Sequence, residues 1–126
     1  MSPTEPDDTL ILDVIQRFNT AFNRHAMDDI MALMAEDCVF ENTYPPPDGE
    51  RFTGQAAVRA CFEQFFRASP AATFDFGDTF ACGERACVRW RYRWIDPDGR
   101  EGHVLGVDIF RVQGGKVAEK CSYVKG

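Results

Sequence analysis

The chain has 126 residues, which is enough for one domain to bury a hydrophobic core without disulfides or a structural metal. Hydrophobic residues make up 44% of it and charged residues 27%, a balance typical of globular proteins. The formal net charge of −6 argues against general binding to nucleic acids or anionic membranes, because both need a cationic surface. We therefore expect a single domain over residues 1–126, with no nucleic-acid or membrane partner.

The N-terminus and the cysteines indicate the cellular compartment. Residues 1–8 are polar and acidic, which predicts a flexible tail and not a secretory signal, and no later apolar run is long enough to span a bilayer. No two cysteines have the close spacing of zinc or redox motifs, and their number is odd. They are Cys38, Cys61, Cys82, Cys87 and Cys121. Small buried thiols of this kind are typical of a reducing environment, so we expect a cytoplasmic protein.

Three stretches in the N-terminal half predict helices. Over residues 9–24, apolar side chains recur at steps of three and four residues, as they do on one face of an amphipathic helix. A shorter helix is predicted over residues 28–36, where two leading aspartates complement the helix dipole. A third begins at Gly54, continues through Arg67, and is ended by the Ser69-Pro70 pair.

The rest of the chain predicts β-structure. Residues 38–41 form a short strand, and residues 42–51 contain three consecutive prolines and form a loop that we place over a pocket mouth. After Pro70, turn signals separate four strands, which predicts an antiparallel meander. The strands cover residues 73–80, 86–95, 103–113 and 116–124. Helices followed by a sheet indicate an α+β fold in which the helices pack on one face of the sheet.

Arginines alternate with large aromatic residues along the second strand of this meander. Period two places the aromatic side chains on the face toward the helices and the arginines on the outer face. The aromatic residues are Trp90, Tyr92 and Trp94, and the arginines are Arg89, Arg91 and Arg93. An outer face with a row of arginines is typical of a solvated or subunit-facing surface, and we expect a homodimer through it.

Three helices followed by a meander resemble the nuclear transport factor 2-like (NTF2-like) superfamily. The strings "MDDIMALMAEDCVFEN", "FTGQAAVRACFEQFF" and "GVDIFRVQGGKVAEKCSYVKG" carry the resemblance, which covers nearly the whole chain. They look most like the ketosteroid isomerase and SnoaL-like polyketide cyclase branches. The resemblance implies a cystatin-type cone, with three N-terminal helices packed on a strongly curved antiparallel sheet around a pocket for a small hydrophobic molecule.

The resemblance implies a catalytic role only for a residue that matches a functional position of the family. Where steroid isomerases have a carboxylate base on the short strand, this chain has Asn42, and where they have an oxyanion-hole tyrosine it has Phe18. Their second oxyanion-hole group, a protonated carboxylic acid, matches Asp108. Lys120 and Ser122 stand for the histidine and aspartate of the Glu-His-Trp-Asp string in the cyclase branch. Ketosteroid isomerisation by the mechanism of that branch is therefore not expected.

The partner of Asp108 depends on the turn before the last strand. A loop of Gln113-Gly114-Gly115 brings Asp108 opposite Lys120, with both side chains pointing into the cone. A loop of Gly114-Gly115 alone shifts the register by one residue and turns Lys120 away. We prefer the first loop because it agrees with the inward positions of the superfamily. The pair would then supply a general base or acid, Asp108, with Lys120 as its electrostatic partner, or would only hold the sheet register.

Further residues are predicted to line the pocket or to hydrogen-bond its ligand. They are Phe18, Phe22, Asn42, Tyr44, Phe62, Trp90, Tyr92, Trp94, Phe110 and Ser122. The histidines, His25 and His103, have no partner at metal-ligand spacing, and no phosphate-binding glycine loop is present. We therefore expect neither a metal nor another cofactor. If Asp108 has no catalytic role, the next candidates are Glu41, His103 and Tyr44.

Two classes of function remain open at this point. The leading hypothesis is a cofactor-independent isomerase, cyclase or dehydratase that moves a proton on a small hydrophobic carbonyl compound. The alternative is a non-catalytic module that binds a small molecule with its aromatic residues, or that serves for dimerisation, since a fold alone does not confer a function. Both hypotheses that involve a ligand require Trp90 and Asp108 to line the same internal cavity.

Overall fold

The computed structural model of the chain describes residues 7–126. The elements, in chain order, are α1 (Asp8–Asn23), α2 (Met27–Ala32), β1 (Met34–Glu41), β2 (Arg51–Thr53), α3 (Gln55–Ala68), β3 (Thr73–Cys82), β4 (Arg85–Ile95), β5 (Glu101–Gln113) and β6 (Lys116–Val124). None of the helices in this part of the chain is long and apolar enough to cross a lipid bilayer.

The strands form one open six-stranded sheet in the order β2-β1-β6-β5-β4-β3. The last four strands make the predicted antiparallel meander, whereas β1 and β6 pair in parallel. Helices α1 and α3 contact the sheet, and α2 contacts both of these helices. The predicted α+β architecture is confirmed, and the parallel pair is a feature that the sequence pattern did not predict.

Helix α1 has the apolar stripe that its sequence predicts, and an acidic residue caps its N-terminus. Its start is fixed by Asp7, whose carboxylate accepts a hydrogen bond from the backbone N–H of Thr9 at 2.8 Å. The buried face includes Ile11, Ile15 and Phe18. Residues 7 and 8 therefore cap and begin the helix instead of extending the predicted tail over residues 1–8. The rest of that tail lies outside the described residues.

The second helix is shorter than predicted, because the chain leaves it to join the sheet. Helix α2 ends at Ala32, and β1 begins at Met34 where residue 38 was expected. The backbone N–H of Val117 in β6 donates to the carbonyl of Leu33 at 2.7 Å. The side-chain amide of Gln55 also donates to three carbonyls around this junction. Tertiary hydrogen bonds thus satisfy the carbonyls that another helical turn would have used.

The hairpin between β5 and β6 differs from the preferred prediction. Gln113 pairs with Lys116, so the loop is only Gly114-Gly115, and both glycines have positive φ. A bulge at residue 118 follows, since Val112 pairs with Val117 and Arg111 with Glu119. The bulge adds one residue to β6 and restores the parity of the strand. As a result, Lys120 lies opposite Phe110 and Ser122 lies opposite Asp108, both on the face toward the helices.

Candidate functional site

A cavity of about 300 Å³ lies between α3, the end of β1 and the inner face of the meander. Nine of the residues predicted for the site line it: Asn42, Tyr44, Phe62, Trp90, Tyr92, Trp94, Asp108, Lys120 and Ser122. Its floor consists of the lining residues that are buried, namely Phe40, Phe62, Trp90, Asp108 and Lys120. Trp90 and Asp108 therefore share one cavity, as the ligand hypotheses require.

Three of the predicted pocket residues do not line this cavity. Phe18 and Phe110 are fully buried in the hydrophobic core, where their rings meet edge to face with centroids 5.6 Å apart. Phe22 is also buried, and it packs against Phe62 behind the floor. These three residues were predicted to line the pocket, but the packing of α1 on the sheet places them in the hydrophobic core instead of the cavity lining.

Seven lining residues were not predicted for the site: Phe40, Thr43, Cys61, Phe65, Phe74, Val104 and Val124. Some of these positions could have been found from the pattern of the sequence. Cys61 and Phe65 are four residues apart on α3 and are partly buried against the core, and Phe74 is on the inner face of β3, where it pairs with Tyr92. The lining residues from β1 and β6 could not be found in this way, because their positions depend on the parallel pairing of these strands.

Asp108, Lys120 and Ser122 form a polar cluster on the inner sheet face. The Lys120 Nζ atom lies 3.3 Å from Oδ2 of Asp108, and their side chains are only 8% and 4% exposed. The Ser122 hydroxyl donates to Oδ1 of Asp108 at 2.6 Å and accepts a hydrogen bond from Lys120 Nζ at 3.2 Å. Each charged group thus has polar partners, as buried charges require.

Aromatic rings surround the rest of the Lys120 ammonium group. Its Nζ atom lies 4.7 Å from the ring centroid of Phe40 and 5.3 Å from that of Phe22. Contacts of this kind attract a cation through the ring quadrupole, and they gain strength when water is excluded. Lys120 is therefore held as a desolvated group whose surroundings are one carboxylate, one hydroxyl and apolar rings.

The aromatic wall of the cavity comes from alternate residues of β4, and two glycines of β5 make room for it. Trp90 pairs with Gly106 and Trp94 pairs with Gly102. A methyl group at Gly106 would lie 2.5 Å from the Trp90 ring, and one at Gly102 would overlap the Trp94 ring. The indoles thus lie close over bare backbone. The indole N–H of Trp90 is buried and has no hydrogen-bond acceptor among the described residues.

Asn42 lies at the rim of the cavity, where hydrogen bonds with Glu50 fix its orientation. Its Oδ1 atom accepts a hydrogen bond from the backbone N–H of Glu50 at 2.7 Å, and its own backbone N–H donates to the Glu50 carbonyl. The Asn42 amide group is thereby left as a donor, and it lies beside the Cys61 thiol. Burial raises the pKa of that thiol, while the hydrogen bond from Asn42 and the charge of Lys120 oppose the rise. Tyr44 is 74% exposed at the outer edge of the rim.

The other candidate residues lie outside the cavity. Glu41 pairs with Arg51 at 2.6 Å. His103 is exposed on β5, and His25 follows α1, where its ring stacks on Phe66 with centroids 4.1 Å apart. Within residues 7–126 there is no group of three or more potential metal-ligating side chains. Among the candidates for acid–base chemistry, the floor therefore holds Asp108 and Lys120.

Comparison with solved structures shows the same fold in several NTF2-like proteins. One of unknown function from Mesorhizobium loti is 40% identical, with a TM-score of 0.77 over 96% of this chain and 97% of that protein. A proposed ketosteroid isomerase from Kribbella flavida is 21% identical, with a TM-score of 0.77 over 95% of this chain and 81% of its own. A proposed polyketide cyclase from Xanthomonas campestris is 23% identical, with a TM-score of 0.75 over 94% and 92% of the two chains.

Sequence comparison points to the same family. No protein of curated function matches the chain significantly. The profile of the SnoaL-like domain matches residues 15–120, which include α3, the whole meander up to Lys120 and most of α1. The chain therefore belongs to the SnoaL-like domain family, within the NTF2-like fold.

Proposed function

We propose that this protein binds a small, largely apolar carbonyl compound and moves a proton on it without a cofactor, as an isomerase, cyclase or dehydratase. The observation that carries the proposal is the buried Asp108–Lys120 pair on the floor of an aromatic cavity. An apolar cavity with a few convergent polar groups is the usual form of a small-molecule site. The fold shared with a proposed ketosteroid isomerase and a proposed polyketide cyclase also supports it.

In the proposed reaction, Asp108 acts as the general base. It takes a proton from the carbon next to the carbonyl group, and the electron pair of that C–H bond moves to the carbonyl oxygen. Lys120 stabilises the negative charge that develops there, and protonated Asp108 then returns the proton to another atom of the ligand. A fixed charge in a site without water is worth far more than the same charge in bulk water. Removing a single donor of this kind typically costs about a hundredfold to a thousandfold in rate.

Deuterium exchange on a simple probe ketone tests the proton transfer, whatever the natural substrate is. We expect the protein to accelerate exchange of the α-protons of benzylacetone in D₂O, followed by NMR, and Asp108→Asn to abolish the acceleration. Asp75→Asn is the matched control, because Asp75 is an exposed carboxylate that pairs with Arg93 on the outer face. Circular dichroism checks that each variant is folded. Full exchange activity in Asp108→Asn would contradict the role of this residue.

Binding is measured separately through the tryptophans. The chain has only two, Trp90 and Trp94, and both line the cavity, so their fluorescence reports its occupancy. We expect a saturable change in fluorescence when benzylacetone binds. Occupancy should also slow alkylation of Cys61, which lines the cavity, but not of the exposed Cys82.

A non-catalytic binding module is the second candidate function. The contacts of Asp108 favour this candidate, because both of its carboxylate oxygens already have partners within the protein, Ser122 and Lys120. Such a pair can have a purely structural role, in which it fixes the register of the strands. The two candidates differ in one result, because a module would give the fluorescence change in the wild-type protein and in Asp108→Asn without exchange in either.

A further inference from the structure

Lys120 differs from the other two lysines of the chain. The chain contains Lys116, Lys120 and Lys125, and only Lys120 lines the cavity. Lys116 is exposed and donates a hydrogen bond to the carbonyl of Ala32 at 2.5 Å, and Lys125 is exposed near the C-terminus. A primary amine without competing water and next to a bound carbonyl carbon can act as a nucleophile as well as a charge.

We propose that Lys120 forms a Schiff base with an aldehyde or ketone bound in the cavity, and that the proton transfer proceeds through the resulting iminium. This inference rests on the proposed function for the class of ligand, a carbonyl compound. It assigns Lys120 a covalent role, whereas the proposed function needs only its charge.

The polar cluster contains the groups that imine formation requires. The amine must lose a proton before it attacks, and Oδ2 of Asp108 lies 3.3 Å from Nζ to accept it. The hydroxyl of Ser122 contacts both groups, so it can pass a proton toward the oxygen that leaves. The aromatic rings around Nζ keep the site apolar, and exclusion of water protects the imine from hydrolysis.

The reaction balances without any further reactant. Nζ gives one proton to Asp108, attacks the carbonyl carbon, and forms a C–N bond while the carbonyl π electrons move to oxygen. That oxygen receives the proton from Asp108 and a second proton from nitrogen, and it leaves as water. The ammonium ion and the carbonyl compound thus become an iminium ion and water, with the charge unchanged. The iminium takes the place of the ammonium group opposite the Asp108 carboxylate, so the buried pair is preserved.

The lining of the cavity favours covalent activation of a bound carbonyl group by Lys120. Lys120 is the only cationic side chain among the residues that line the cavity. An iminium withdraws electrons from the neighbouring carbon more strongly than a hydrogen-bonded carbonyl does, which makes its α-proton easier for Asp108 to remove.

Reductive trapping tests the inference directly on the wild-type protein. We would incubate the protein with 3-phenylpropanal and sodium cyanoborohydride, and identify the modified lysines by peptide mass spectrometry. Lys116 and Lys125 are internal controls in the same molecule. We expect Lys120 to be alkylated about tenfold or more faster than either control, because binding orients the aldehyde beside Nζ. Glyceraldehyde, which is polar, should show no such preference.

Variants and the fluorescence measurement separate the possible results. Lys120→Arg keeps the positive charge but removes the amine, so this variant should lose the adduct at position 120 and still bind the probe. Lys116→Arg is the matched control, and it should leave trapping at Lys120 unchanged. Saturable binding with no excess of adduct on Lys120 would overturn the Schiff base and leave the proposed function standing. Absence of binding for both the aldehyde and benzylacetone would overturn both.

Discussion

Ser122 shows how a single small residue controls the charged pair of the site. Its hydroxyl donates to Asp108 and accepts from Lys120, so it occupies one oxygen of the carboxylate and orients the ammonium group. A hydrogen bond to a charged acceptor is stronger than one between neutral groups. Ser122 is therefore a positioning residue, and its replacement should disturb the geometry of the Asp108–Lys120 pair more than the rest of the fold.

Replacing Ser122 by alanine should destabilise the protein by about 1–3 kcal/mol, because a buried carboxylate oxygen loses its donor. Urea denaturation followed by circular dichroism measures the change. Thr73→Ala is the control, since it also removes a hydroxyl from a strand but at an exposed position. An equal free energy of unfolding for Ser122→Ala and the wild type would show that the hydrogen bond does not contribute to stability.

The cysteines should differ in reactivity with pH. Burial, followed by the charges of Glu119 and Glu41, raises the pKa of Cys121 to about 11. Only the thiolate reacts with iodoacetamide, so at pH 8 about one Cys121 side chain in a thousand is reactive, given that pKa. The exposed Cys82 should therefore be alkylated first, and Cys121 should react faster as the pH rises toward 11. Mass spectrometry of timed samples checks the order, and rapid labelling of Cys121 at pH 8 would contradict it.

At the scale of elements, the wall of the cavity depends on the two glycines of β5, over which the indole rings of β4 lie. A methyl group at Gly106 would overlap the backbone oxygen of Tyr123 and would also lie 2.5 Å from the Trp90 ring. At Gly102 the nearest atoms all belong to the side chain of Trp94. The first clash involves backbone of the neighbouring strand, whereas the second can be relieved by rotation of an indole.

We therefore expect Gly106→Ala to destabilise the protein by about 1–3 kcal/mol, as overpacking does, and Gly102→Ala to cost less. Gly102→Ala should instead move Trp94 toward the cavity and weaken binding of benzylacetone. Thermal denaturation and tryptophan fluorescence measure the two effects. A larger loss of stability for Gly102→Ala than for Gly106→Ala would contradict the assigned contacts.

The elements also show which parts of the structure a sequence can predict. Helix α1 and strand β4 follow from their periods of about 3.6 and two residues, because each buries one continuous face. The inward position of Lys120 does not follow from such a pattern. It depends on a two-residue turn and on a bulge at residue 118, and the bulge offsets the shift in register that the turn alone would cause. A bulge of this kind has no clear signal in a single sequence, so the preferred loop was wrong although the side chain does face the cavity.

At the scale of the whole molecule, core and cavity are built from the same kind of residue. The chain has eleven phenylalanines, which line the cavity at some positions and fill the core at others. Phe62 contributes to both, whereas Phe18 and Phe110 belong to the core alone. Phe18 lies on α1 and the Phe110 ring packs edge to face against it, so the packing of this helix on the sheet fills the space around both rings. Periodicity predicts which side chains point inward, but it does not predict where the inward side leaves space.

The outer face of the sheet supports a proposal about assembly. The arginine row faces outward, and two of its members already have partners in the chain, since Arg93 contacts Asp75 at 2.8 Å and Arg89 contacts Asp78 at 3.7 Å. The same face exposes apolar side chains. Phe80 and Tyr123 are 61% and 54% exposed, and Leu105 is 38% exposed. A sheet face that combines large exposed apolar residues with arginines has the composition of a protein interface.

We propose that the protein forms a homodimer through this face, and the prediction is a mass of about 28 kDa, twice the 14.2 kDa of the chain, by light scattering at micromolar concentration. Leu105→Glu should shift the mass toward that of the monomer, because a twofold interface would contain the new charge twice and bury it without a partner. Leu10→Glu is the matched control, since Leu10 is 64% exposed on α1, away from the sheet face. A monomeric mass for the wild-type protein would contradict the dimer, and dissociation by Leu10→Glu but not by Leu105→Glu would place the interface on the helices instead.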